Sequence, residues 1–309
     1  MNLEKSNSVF LSRKFSFAIV LMGAILWGLG GIAGQLLYES SDITTPWLIE
    51  TRMLFSGVVL VLIAFKQNKF AIFNIFKNKK DLTVFLFYAV FGNYLVQYTY
   101  FESIHYTNAA TATLLQYLAP SIVLVIMAFK NKRLPSLLEV VCVFVALLGL
   151  YFVSTHGNIN NLSVSPTALI WCLTSATALA LNSVIPVGIL KKYDSFVVVG
   201  FAMVLGALIT QIFFNPYSQS YNITPTAWCY AAFICVFGTA MPFTMFAMGL
   251  KVVGSTISSI LSNIEPLTAG VVSIIFLGTQ VTIFDLIGFV LIIGVAIALA
   301  IFGERGNNG

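Results

Sequence analysis

The stretch YTNAATATLLQYLAPSIVLVIMAFKNKR, residues 106–133, is an apolar run with a proline near its centre and cations at one end only. Residues 107–129 match the ~20 residues an α-helix needs to cross a bilayer, and Lys130, Lys132 and Arg133 follow at once. The pattern recurs along the chain. Apolar segments occupy 15–37, 45–65, 82–101, 107–129, 136–153, 165–190, 195–214, 226–248, 254–277 and 282–302, which predicts ten transmembrane helices. Of the 16 lysines and arginines, all but Arg52 fall in alternate flanks of these segments. The basic flanks carry Lys5, Arg13 and Lys14, then Lys66, Lys69, Lys77, Lys79 and Lys80, then Lys130, Lys132 and Arg133, then Lys191 and Lys192, then Lys251, then Arg305. The opposite flanks, around Asp42, His105, His156, Asn215 and Gly278, hold none. The positive-inside rule therefore places both termini in the cytoplasm of a multi-pass protein of the cell membrane.

Bulk composition agrees. With 59% hydrophobic and 9% charged residues and a mean hydropathy of +0.94 over 309 residues, the chain has too little polar surface for a water-soluble globule. It reads as one all-α integral membrane protein. The net charge of +5 is explained by juxtamembrane cations facing the lipid bilayer, so no nucleic-acid partner is expected. Cys142, Cys172, Cys229 and Cys235 lie in apolar spans without CxxC spacing and read as small buried side chains rather than metal ligands or disulfides. Arg13-Lys14 before the first span resembles a signal sequence, but the apolar run is longer than a signal core and reads as a retained helix. The tails, 1–14 and 303–309, read as short cytoplasmic segments. Phe70, Ile72, Phe73, Ile75 and Phe76 interleave with lysines, as in a short headgroup-level helix or a snorkelling loop.

The chain also repeats itself. A shift of 146 residues lays Phe91-Gly92 on Phe237-Gly238, Pro120 on Pro266 and Glu139 on Asp285, and a shift of 144 lays Trp27 on Trp171. Two five-helix units follow, 15–153 and 165–302, joined by an outer loop at 154–164. Because five is odd, the second unit enters the membrane from the opposite side. Two inverted five-helix repeats are the architecture of alternating-access transporters.

The run from Tyr106 to Pro120, Trp27-Gly28 in the first span, Arg52 in the second, and the segment from Gly254 through Asn263, Ile264 and Glu265 to Pro266 resemble the ten-helix EamA-type branch of the drug/metabolite transporter superfamily. The resemblance covers residues 15–302. It implies transport of a small solute, with members moving amino acids, amines, sugars, nucleotides or drugs. Many relatives carry a Gly-Glu pair at the ends of the fourth and ninth helices. Here those positions are Lys130-Asn131 and Gly278-Thr279, so no role of those glutamates carries over.

Candidate site residues gather near the predicted midplane, where such folds bind substrate. Pro120 and Pro266 each remove an N–H and clash with the carbonyl four residues earlier, those of Gln116 and Ser262, which predicts two kinks. Around them lie Asn93, Gln97, Gln116 and Tyr117, and in the second unit Asn182, Thr239, Ser262, Asn263 and Glu265. Polar groups of this kind face a bundle interior or cavity. With Trp27, Tyr94, Tyr98 and Trp171 they describe a polar-aromatic pocket for a small zwitterion or amine, because aromatic faces attract ammonium groups. Each ring, taken singly, equally suits interhelical packing. Glu265 stands out, since a charge at the helix centre costs ~2.5–3.5 kcal/mol to insert. It reads as a group that binds an amine or exchanges a proton. Arg52 is the second intramembrane charge, either functional or an ion-pair partner of Glu265, Glu50 or Glu102. Glu139 and Asp285 sit in first helical turns and simply complement the helix dipole.

No HExxH, GxSxG or intramembrane carboxylate pair occurs, so an enzyme is not expected, nor a cofactor or metal. A channel lacks its charge rings or filter loop. The leading reading is a secondary, ATP-independent transporter of a small polar metabolite, exporting an amino acid or related amine. The alternatives are uptake of a quaternary amine such as choline, export of toxic cations, and a membrane receptor or scaffold. Protons are candidate coupling ions, and both monomer and homodimer are compatible with the sequence. The topology predicts that cysteines placed as Ser41→Cys, Asn160→Cys or Ser218→Cys react with an impermeant thiol reagent outside the cell, while Asn78→Cys and Asn131→Cys do not.

Overall fold

The computed structural model describes residues 13–130, 132, 137–155, 164–262, 264–278 and 282–302. Each of the ten apolar segments folds as helix. The order is α1 (Arg13–Glu39), α2 (Thr45–Asn68), α3 (Lys79–Phe87), α4 (Leu95–Tyr106), α5 (Ala109–Gln116), α6 (Ala119–Lys130), α7 (Leu137–Thr155), α8 (Pro166–Val184), α9 (Val187–Leu190), α10 (Ser195–Phe214), α11 (Pro225–Cys235), α12 (Met241–Leu261), α13 (Ile264–Leu277) and α14 (Ile283–Phe302). The lysine- and phenylalanine-rich segment after α2 forms a 3-10 helix, Lys69–Phe76, with Phe70, Phe73 and Phe76 exposed and Ile72 and Ile75 buried.

Among the described residues, seven helices are long and apolar enough to cross a membrane. The stretch that joins α3 to α4 is not among them, being rich in polar and aromatic residues such as Asn93, Gln97, Tyr98 and Tyr100. Helix starts follow the sequence. Asn78, Asn108, Ser165, Asp194 and Thr224 each accept a hydrogen bond from a backbone N–H of the following turn, and Pro166 and Pro225 occupy first-turn positions where no donor is needed.

Besides the step from α8 to α9 at Ile185–Pro186, four interruptions among the described residues set this bundle apart from straight rods. Tyr88–Tyr94 and Val236–Ala240 are π-helical turns, and they contain the Phe91-Gly92 and Phe237-Gly238 pairs that align within the sequence. The other two fall just before the prolines. α5 ends at Gln116 and α6 begins at Ala119, while α12 ends at Leu261 and α13 begins at Ile264. Both kinks expected from the prolines are thus outright helix breaks. Gly254, at φ +83°, bends α12 further, in a conformation that glycine alone adopts freely.

Helix α1 packs against α11, α12 and α13, α2 against α10, α4 against α8, and α7 against α14. Small residues let backbones meet, as is usual between membrane helices. A Cβ built on Gly30 would lie 2.8 Å from the Cα of Gly238, so α1 crosses the second π turn at backbone contact. Three of the four cysteines are buried as expected. Cys229 is not, because this side of α11 faces outward with the half-exposed Trp228 beside it.

The two ends of the bundle are tied by contacts between distant parts of the chain. At one end Ser41 bridges Ile223, the Asp42 carboxylate accepts from the Asn222 N–H at 2.7 Å, and Thr51 and Tyr217 share a 2.9 Å hydroxyl hydrogen bond. At the other, Lys192 Nζ and the Tyr193 hydroxyl donate to Asp81 at 2.7 and 2.9 Å. They hold the Asp81 carboxyl below the usual carboxylate range. This pairing is fully present above the ordinary aspartate pKa and is lost as pH falls through the lowered one. Gly30→Ala should destabilise the purified protein by about 1–3 kcal/mol through overpacking against Gly238, read as a lower thermal midpoint. Gly188→Ala, which meets nothing within 4 Å, should leave the midpoint unchanged.

Candidate functional site

Three of these interruptions border one cavity: the two breaks, through Gln116 and Glu265, and the second π turn, through Gly238. Its lining comes from α1 (Trp27, Gly30, Gly31), α2 (Arg52), α4 (Val96, Gln97, Tyr100, Phe101), α5 (Gln116), α8 (Leu179), the second π turn (Gly238), α12 (Phe243) and α13 (Glu265). The volume is about 30 Å³. A single water needs roughly 10–15 Å³, so a larger solute enters only if helices part.

Arg52 is buried and is held at three points. Nε donates to Thr239 Oγ1 at 2.8 Å, Nη2 donates to the Gly238 carbonyl at 3.1 Å, and the guanidinium lies 4.4 Å from the Phe101 ring centroid. Among the described residues no carboxylate pairs with it, which corrects the expectation of an ion pair with Glu265, Glu50 or Glu102. Pro242, four residues after Gly238, has no N–H to offer that carbonyl, and the guanidinium reaches it instead. Nη1 is left without a partner.

Glu265, in the first turn of α13, is buried. No described group donates a hydrogen bond to its carboxylate. Trp27 packs edge-on to Phe243 and tilted against Phe246, and its Nε1 is unpartnered. Gln97 donates from Nε2 to the carbonyl and Oδ1 of Asn93, both at 3.1 Å, while its own Oε1 has no partner. Gln116 lines the cavity and donates to Ser175 Oγ at 2.6 Å.

Other residues singled out in the sequence lie outside the cavity lining. Thr239 holds Arg52. Tyr117, at the first break, donates its hydroxyl to the Ser262 carbonyl at the second, so each break supports the other. Asn93 fixes the first π turn through Gln97 and Tyr88. Asn182 packs its backbone against Gly92. Tyr94, Tyr98 and Trp171 form a separate aromatic array with Phe214. Asn263 lies outside the described residues. Missed from the sequence were Tyr100, Phe101 and Phe243. The first two follow Gln97 at three and four positions, on one helix face, and that spacing was the available signal. Phe243 carried none.

Comparison with known proteins fits this architecture. A model described as the EamA-like transporter family matches twice, over residues 14–155 and 166–301. The chain belongs to the EamA-like transporter family. It is 33% identical over 286 residues to an uncharacterized inner membrane transporter of Salmonella typhimurium, covering 93% of this chain and 95% of that one. An uncharacterized transporter of Archaeoglobus fulgidus is 29% identical over 68% of this chain and 74% of its own. A solved crystal structure shares the fold at a TM-score of 0.67 and 17% identity, covering 96% of this chain and all of that one. As an EamA-like protein, this chain is a multi-pass membrane transporter. Pro120→Ala and Pro266→Ala restore an N–H to the broken turns. Each should lower the rate of solute exchange in proteoliposomes severalfold while membrane expression stays near normal.

Proposed function

We propose that the protein is a secondary carrier of the cytoplasmic membrane that moves a small polar metabolite by alternating access, with export of an amino acid or related amine as the leading activity. The observation that carries this reading is the Glu265 carboxylate, buried without a hydrogen-bond donor in a cavity walled by Trp27, Tyr100, Phe101 and Phe243. A buried charge without a partner is costly, and a cationic amine supplies the missing one. Aromatic faces add attraction for that cation.

In this proposal the two matched halves, 14–155 and 166–301, are inverted repeats with both termini cytoplasmic, ten helices crossing the membrane. The cavity lies between them. The ties at the two ends, Ser41–Ile223 with Asp42–Asn222 and Asp81–Lys192, are then alternating closures, one of which opens at each stage. The contracted cavity suits the moment when both are made. Proton exchange at Glu265 would couple the cycle to a pH gradient. The four cavity aromatics also favour a second reading, carriage of a quaternary amine such as choline, either inward or as toxic-cation export.

Glu265→Gln keeps size and hydrogen bonding but removes the charge. In proteoliposomes, a coupling role predicts that exchange of labelled for unlabelled substrate persists while pH-driven accumulation is lost. A binding role predicts at least a tenfold loss of affinity. Wild-type affinity together with full accumulation would exclude both roles.

A further inference from the structure

Buried polar atoms in folded proteins are almost always paired; of the ten buried side-chain polar atoms without a partner among the described residues, three belong to the lining of this cavity, and they include its guanidinium and its indole. Trp27 Nε1, Arg52 Nη1 and Gln97 Oε1 belong to lining residues and have no partner. The Glu265 carboxylate likewise accepts from no described group. Two of these are donors, one of them on a guanidinium, and two are acceptors, one of them a carboxylate. The two charges do not neutralise each other through contact, although the Tyr100 side chain lies within electrostatic reach of both. Arg52 cannot swing freely to find another partner, because Nε and Nη2 are anchored on Thr239 and Gly238 and its face rests on Phe101. That anchoring leaves Nη1 as the nitrogen of the guanidinium with no partner.

We propose that Arg52 Nη1 and Trp27 Nε1 form a carboxylate subsite, complementary to an ammonium subsite at Glu265 and Gln97 Oε1, so that the cavity selects a zwitterionic amino acid over an amine. The inference rests on the reading of this cavity as the transport site. A simple amine can donate to Glu265 and Gln97, and a quaternary amine, which has no N–H, can meet only the Glu265 charge; either leaves the Arg52 charge uncovered and repelling it. A zwitterion satisfies both ends. A guanidinium also binds a carboxylate by charge-assisted hydrogen bonds, and the indole N–H is a donor only.

The test uses the purified full-length protein and a matched panel: the twenty standard L-amino acids, the amine left by decarboxylating each, and the carboxamide of each. Binding is read by thermal stabilisation and transport by counterflow in proteoliposomes. At least one amino acid should bind and exchange, with its amine and its carboxamide weaker by about tenfold or more. Trp27→Phe, which keeps the ring but removes the donor, and Arg52→Gln should both bring that ratio towards one. The comparison within the wild-type protein stands even if Arg52→Gln fails to fold. Amines or carboxamides that bind as well as their parent amino acids would overturn the carboxylate subsite while leaving the carrier reading intact. If no amino acid or amine binds or exchanges at all, both fall together.

Discussion

A helix surrounded by hydrocarbon must satisfy its own backbone, because no water is present to do so. This chain relaxes that rule at the π turns Tyr88–Tyr94 and Val236–Ala240 and at the breaks before Pro120 and Pro266. Side chains take up what is released. Gln97 donates to the Asn93 carbonyl, Arg52 to that of Gly238, Ser56 to that of Cys235 and Tyr117 to that of Ser262. Irregular backbone at membrane depth is tolerated where it is buried in protein or lines a cavity; here the first π turn is largely buried, and Gln116, Gly238 and Glu265, at the other three irregularities, line the cavity that holds Arg52.

The same economy explains why charge can sit inside this bundle. An isolated guanidinium in hydrocarbon is expensive, but a π turn supplies a carbonyl and Thr239 a hydroxyl at the distances a fork requires. Arg52 thereby serves the fold and keeps one nitrogen in reserve. Glu265 has no comparable shell. Arg52 is thus anchored on three sides while the Glu265 carboxyl, in the same cavity, accepts from no described group.

Close packing lets these groups converge. Helix α1 passes the second π turn at Gly30 and Gly238, and the carbonyl of Glu265 would sit only 2.7 Å from a Cβ built on Gly28. Two glycines a helical half-turn apart thus bring Trp27, the π turn and the start of α13 to one place. Contacts at the two ends of the bundle then join the 41–51 region to 217–223, and Asp81 to Lys192 and Tyr193. These are polar ties across a largely apolar interface between segments more than 100 residues apart in the chain.

Hydropathy and prolines are local properties, and the sequence displayed them openly: ten apolar stretches that fold as helices, and interruptions beside Pro120 and Pro266. The internal match of Phe91-Gly92 with Phe237-Gly238 pointed to two equivalent positions, though not to their being π turns, since an extra residue in a helical turn leaves no mark on composition. Glu265, Arg52, Trp27, Gln97 and Gln116 were also legible, because polar or aromatic residues in apolar spans are rare enough to notice. What each one touches was not. That Arg52 grips a carbonyl instead of a carboxylate, that Tyr117 caps the opposite break, and that Tyr94, Tyr98 and Trp171 stack away from the cavity all depend on how helices far apart in the chain are rotated against one another. A residue's own helix fixes which face it occupies, but only tertiary packing decides what that face meets.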